Sequence, residues 1–113
     1  MEWKELKSVS QLDELTKESY ERPVIIFKHS TRCSISRATL DRMERNWKSD
    51  EMENITPYFL DLINFRDVSN LIADQFAVMH ESPQLLIIEK GKSIFDASHM
   101  AIDYRQVRDL VKN

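Results

Sequence analysis

Three runs rich in β-branched and aromatic residues, PVIIFKH (Pro23–His29), PYFLDLI (Pro57–Ile63) and QLLIIE (Gln84–Glu89), are separated from one another by single amphipathic stretches. An uninterrupted apolar run such as Val24 to Phe27 reads as a strand buried on both faces. After the first run, Leu40, Met43 and Trp47 recur at spacings of three and four, while Arg37, Asp41, Glu44, Arg45 and Lys48 fill much of the rest. That pattern predicts an amphipathic helix from Cys33 to about Lys48. After the second run, Val68, Leu71, Ile72 and Phe76 form one stripe, with Asn64 in position to cap that helix. Strands joined through helices require a central sheet with parallel pairs, covered by the helices.

The flanking segments complete the pattern. Trp3 to Leu6 reads as a short strand, and Ser10 as the cap of a helix of about ten residues that turns Leu12 and Leu15 inward. Ser93–Ala97 folds back on Gln84–Glu89 as a hairpin about Gly91. Asp103 then opens a last helix bearing Val107, Leu110 and Val111. The order is β-α-β-α-β-α-β-β-α, and the closing hairpin makes the sheet mixed. A thioredoxin-like α/β fold has this element order.

A chain of 113 residues fits one domain, residues 1–113, and can bury enough surface to fold without disulfides or metal. A net charge of -3 leaves no electrostatic footprint for nucleic acid. No apolar run approaches the ~20 residues that span a bilayer, and the first thirty or so residues lack a signal-peptide core. The expectation is a cytoplasmic protein without nucleic-acid or membrane partners. Gly91 is the only glycine, which excludes glycine-rich phosphate loops.

The single cysteine, Cys33, lies in KHSTRCSISRA (Lys28–Ala38), between the second predicted strand and the helix that follows. It is either a small core residue or the chemistry of the protein. The position strengthens the case for chemistry without deciding it. The leading N–H groups of a helix lack helical partners, and the helix dipole adds about half a positive charge there. Lys28, His29 and Arg32 bring further positive charge, and Ser36, three residues on, offers a hydroxyl to the sulfur. Such surroundings favour the nucleophilic thiolate. With one cysteine, any disulfide that Cys33 forms within this chain's chemistry is intermolecular, because Ser36 occupies the resolving position of a C-x-x-C pair.

FKHSTRCSIS resembles the active-site turn of the bacilliredoxin-like family. RDVSNLIADQFAVMHESPQ (Arg66–Gln84), LLIIEKGKSIFDASH (Leu85–His99) and the terminal helix agree with it, so the resemblance covers almost the whole chain. One departure is Ser34, where the family usually has proline. The resemblance implies a thioredoxin-like fold and a monothiol thiol–disulfide oxidoreductase. Its cysteine takes bacillithiol from a protein mixed disulfide onto itself, and a second low-molecular-weight thiol, another redoxin or a reductase then releases it. It implies no tightly bound cofactor; bacillithiol is a transient partner. It further implies a cis Pro83 facing Cys33, with Ser82 presenting backbone groups to an extended substrate. His80 and Glu81 either contact the sugar or carboxylates of bacillithiol or form a solvated helix end.

His99 reads as a surface or hydrogen-bonded histidine, and the histidines and Cys33 show no metal-ligand spacing. The Met and Trp positions read as core. Two other functions share the pattern. One is a monothiol glutaredoxin-type iron–sulfur or thiol-binding protein, although C-S-I-S lacks the glycine of C-G-F-S. The other is a non-catalytic interaction module on the same fold.

Overall fold

A computed structural model describes residues 2–111. The elements are β1 (Lys4–Glu5), α1 (Val9–Glu18), β2 (Val24–His29), α2 (Ser34–Asn46), β3 (Thr56–Asp61), α3 (Arg66–Phe76), β4 (Gln84–Glu89), β5 (Lys92–Ser98) and α4 (Tyr104–Val111), with a 3-10 turn at His99–Ala101. They form one five-stranded sheet in the order β1-β3-β2-β4-β5. β2 runs parallel to β3 and antiparallel to β4, and β1 pairs parallel with β3. The architecture is that of the thioredoxin-like α/β class.

β2 sits at the centre, and its alternation supplies both cores. Val24 and Ile26 join Leu12, Leu15, Val68 and Ile72 on the α1/α3 side. Ile25 and Phe27 join Leu40, Met43, Tyr104 and Val107 on the α2/α4 side. This explains why the run is continuously apolar. The β4–β5 hairpin turns at Lys90 and Gly91, both with positive φ (53° and 76°), as a two-residue turn of the primed type requires.

Several boundaries differ from the sequence reading for local reasons. Ser8, not Ser10, caps α1: its backbone is extended and its Oγ accepts the Gln11 N–H at 3.2 Å. Asn64 does not cap α3. Phe65 holds that position without a side-chain bond, and Asn64 Nδ2 instead donates to Asp61 Oδ2 at 2.7 Å. Cys33 is the N-cap of α2 rather than its first helical residue. Met43 and Met52 are buried, as a core reading expects, but Met79 and Met100 are 83% and 73% exposed.

Candidate functional site

β2 ends at His29, and a tight turn follows in which the Cys33 N–H donates to the Ser30 carbonyl at 3.2 Å. Cys33 then takes extended dihedrals (φ -112°, ψ 119°) and launches α2. Its thiol is half-buried. No side chain caps this end of α2, so the first-turn N–H groups remain available to an anion at the sulfur. Arg32, on the turn, is exposed. This is the charged group of the predicted set that stays on the thiol's own turn.

Ser36 is fully buried, and its hydroxyl is engaged away from the sulfur. Ser36 Oγ accepts the Ser30 N–H at 3.1 Å and lies 2.7 Å from His29 Nδ1. The hydroxyl, which can donate one hydrogen and accept two, is thus shared between the turn backbone and the imidazole. Ser36 thus ties the turn to β2, and among the described residues no hydrogen bond joins it to the Cys33 sulfur. His29 is also buried, its ring tilted by 47° against that of Phe59 with centroids 5.4 Å apart. Burial, with Arg37 nearby, pushes its pKa below the ordinary value. The ring is neutral at neutral pH and supplies no positive charge to the thiolate.

Lys28 departs furthest from the sequence reading. It is fully buried on the α1/α3 face, and its ammonium donates to the Ser69 carbonyl of α3 at 3.2 Å. It also lies 3.4 Å from His80 Nδ1. Desolvation pushes its pKa down from 10.5 to about 8. Lys28 thus belongs to the loop before Pro83, not to the cysteine turn.

That loop leaves α3 through Ala77, in the left-handed region at φ 55°, and ends at a cis Ser82–Pro83 peptide bond, as the family resemblance implies. Pro83 is buried, and its carbonyl accepts the His99 N–H at 3.0 Å. His99 Nε2 lies 3.6 Å from Glu81 Oε2. The 3-10 turn after β5 therefore braces the loop, a contact for which the sequence carries no signal. Lys28 pairs with Gln84 across β2 and β4. The cysteine turn and the Pro83 loop consequently leave the sheet at the same end. Gln84 Nε2 donates to the Met79 carbonyl at 3.0 Å, which ties the strand to the loop. Ser82 Oγ and Gln84 Oε1 are buried without a hydrogen-bond partner among the described residues. Ile35, in the first turn of α2, is exposed, as are Met79 on the loop and Met100 on the 3-10 turn. Among the described residues, no group of three His, Cys, Asp or Glu side chains is placed to hold a metal ion. No described helix is long and apolar enough to cross a membrane.

The sequence matches the family described as monothiol bacilliredoxin BrxC over residues 4–107. The chain belongs to the monothiol bacilliredoxin family. Solved structures agree with the fold. A candidate oxidoreductase with a thioredoxin fold is 28% identical, with a TM-score of 0.79 over 93% of this chain and 89% of that one. Thioredoxin from Trypanosoma brucei brucei is 15% identical, with a TM-score of 0.75 over 99% and 93%. Thioredoxin from Malassezia sympodialis is 13% identical, with a TM-score of 0.76 over 97% and 88%. Bacilliredoxin membership makes this a thiol redox protein with one candidate nucleophile, Cys33.

Proposed function

We propose that this bacilliredoxin is a thiol–disulfide oxidoreductase that removes bacillithiol from protein mixed disulfides through Cys33. The observation that carries this reading is the placement of the chain's only thiol at the uncapped N-terminus of α2, at the same end of the sheet as Pro83. The Cys33 thiolate attacks the bacillithiol sulfur of the mixed disulfide. One S–S bond forms, one breaks, and the substrate cysteine leaves as its thiolate. A second thiol, from a low-molecular-weight donor or a redoxin or reductase, then attacks the Cys33 mixed disulfide. It carries the bacillithiol away and restores Cys33. Each step exchanges one disulfide for another, so no external oxidant is needed.

In this reading Arg32 and the helix terminus stabilise the Cys33 thiolate, and the Ser82–Pro83 backbone holds the substrate chain extended. His80 and Glu81 line the bacillithiol end of the site. The exposed side chains of Ile35, Met79 and Met100 supply apolar contact to the substrate protein around the reacting sulfur. The test is direct. The reduced protein is mixed with a bacillithiolated substrate, and both are weighed by mass spectrometry. One bacillithiol on Cys33 with a matching gain of free thiol in the substrate is the expected result. An unmodified Cys33 with the substrate still modified would sink the proposal.

A further inference from the structure

Lys28 is a fully buried ammonium whose hydrogen-bond partners are the Ser69 carbonyl and His80 Nδ1, neither of them a carboxylate. An ammonium carries donors only, so a histidine nitrogen facing it must accept. Ser69 Oγ lies 3.3 Å from the same Nδ1, and its hydroxyl can donate to a nitrogen that the ammonium has made an acceptor. The ring proton is thereby directed to Nε2, on the side of an exposed residue that stands three positions before Pro83.

We propose that Lys28 is a positioning residue that fixes His80 in its Nε2–H form, so that this N–H receives a carboxylate of the thiol substrate. The part that names the substrate group rests on the function proposed above. Partial burial and the charges of Lys28 and Arg66 push the His80 pKa below its ordinary value, while Glu81 opposes them. The ring therefore meets the carboxylate as a neutral donor. Across the sheet, Gln84 pairs with Lys28 and ties β4 to the Met79 carbonyl, so the loop that carries His80 is held from both of its ends. A lysine in this place acts through the histidine and touches no reacting atom.

The test uses the full reduced chain with labelled histidine, read by long-range proton–nitrogen correlation spectra near neutral pH. His80 should show a protonated Nε2 and a bare Nδ1, and Lys28→Met should release it to a mixture of tautomers. A protonated Nδ1 in the wild type, or the same tautomer in both proteins, would overturn the assignment. Binding is read in a Cys33→Ser background, where no exchange occurs. Glutathione disulfide, which carries carboxylates, should shift the His80 Nε2 resonance, and hydroxyethyl disulfide should not. Adding Lys28→Met should weaken glutathione disulfide binding about fivefold, the worth of one hydrogen bond. Equal weakening for both disulfides, or none for either, would overturn the substrate role. Failure of bacillithiol transfer in the mass assay would remove the function proposed above while leaving these two readouts to decide on Lys28.

Discussion

Lys28→Met should make the protein more stable at neutral pH. The lysine is fully buried, and desolvation holds its pKa at about 8 instead of 10.5. At about 1.4 kcal/mol per pH unit, keeping the ammonium charged in that site costs about 3 kcal/mol. Methionine has a similar length and needs no proton or partner. The loss of the bond to the Ser69 carbonyl returns about 1 kcal/mol, leaving a net gain of about 2 kcal/mol. For a domain of this size that is a rise of roughly 8 °C in melting temperature. The pH dependence carries the sharper test. Between about 8 and 10.5 the unfolded chain holds the Lys28 proton and the native protein does not, so wild-type stability rises with pH in that window. Below about pH 8 the cost of the charged lysine is present in full and no longer changes with pH. Urea unfolding at several pH values should therefore show the variant ahead by about 2 kcal/mol at pH ~7 and level with the wild type near pH ~9.5. A variant that is less stable at neutral pH, or a difference that stays constant with pH, would show that Lys28 is not a desolvated ammonium.

Two further perturbations probe the turn and the far end of the sheet. Ser36→Ala removes a hydroxyl shared by the Ser30 N–H and His29 Nδ1, and should lower stability by about 2 kcal/mol. Alkylation of Cys33 by iodoacetamide should change by less than about twofold, because no bond to the sulfur is lost; a tenfold slower reaction would mean that Ser36 donates to the thiolate after all. Glu18 accepts from Thr56 Oγ1, Tyr58 Oη and Arg22. Burial alone would raise its pKa, but these bonds hold it below the ordinary value of 4.5. Its contribution is thus complete above that value and lost as pH falls through the lower native one. Glu18→Gln should cost about 1 kcal/mol at neutral pH and reduce the loss of stability on acidification, as followed by urea titrations at pH ~3 to ~6.

The element order was legible because β2 and β4 are buried on both faces, which leaves uninterrupted apolar runs that no surface segment of this chain carries. The position of the thiol was equally legible, since a polar turn between a strand and a helix brings any side chain there to the end of the sheet. The partners of that thiol were not. Spacing of three aligns two side chains only when both belong to the helical lattice. Cys33 is an N-cap with extended dihedrals, so Ser36 is free to reach back to β2 instead. Lys28 illustrates the other limit. Its face was readable from alternation with Phe27, but a lysine at a strand end reads as a surface charge, and nothing local reveals that Ser69 and His80 converge over it.

That burial also bears on the question of what the lysine is for. The contacts that Lys28 makes do not require its charge for folding, because an apolar side chain of the same length would fill the space at lower cost. An apolar side chain cannot donate to His80 Nδ1, however, and would leave only the Ser69 hydroxyl, able to donate or to accept, on that edge of the ring. A group that weakens the fold while ordering a residue beside Pro83 is understandable if the ordered residue acts on the substrate. The two measurements on Lys28→Met should therefore move in opposite directions, stability upward and binding of a carboxylated disulfide downward. If both rose or both fell together, the lysine would be only a packing element and His80 would owe its orientation to Ser69 alone.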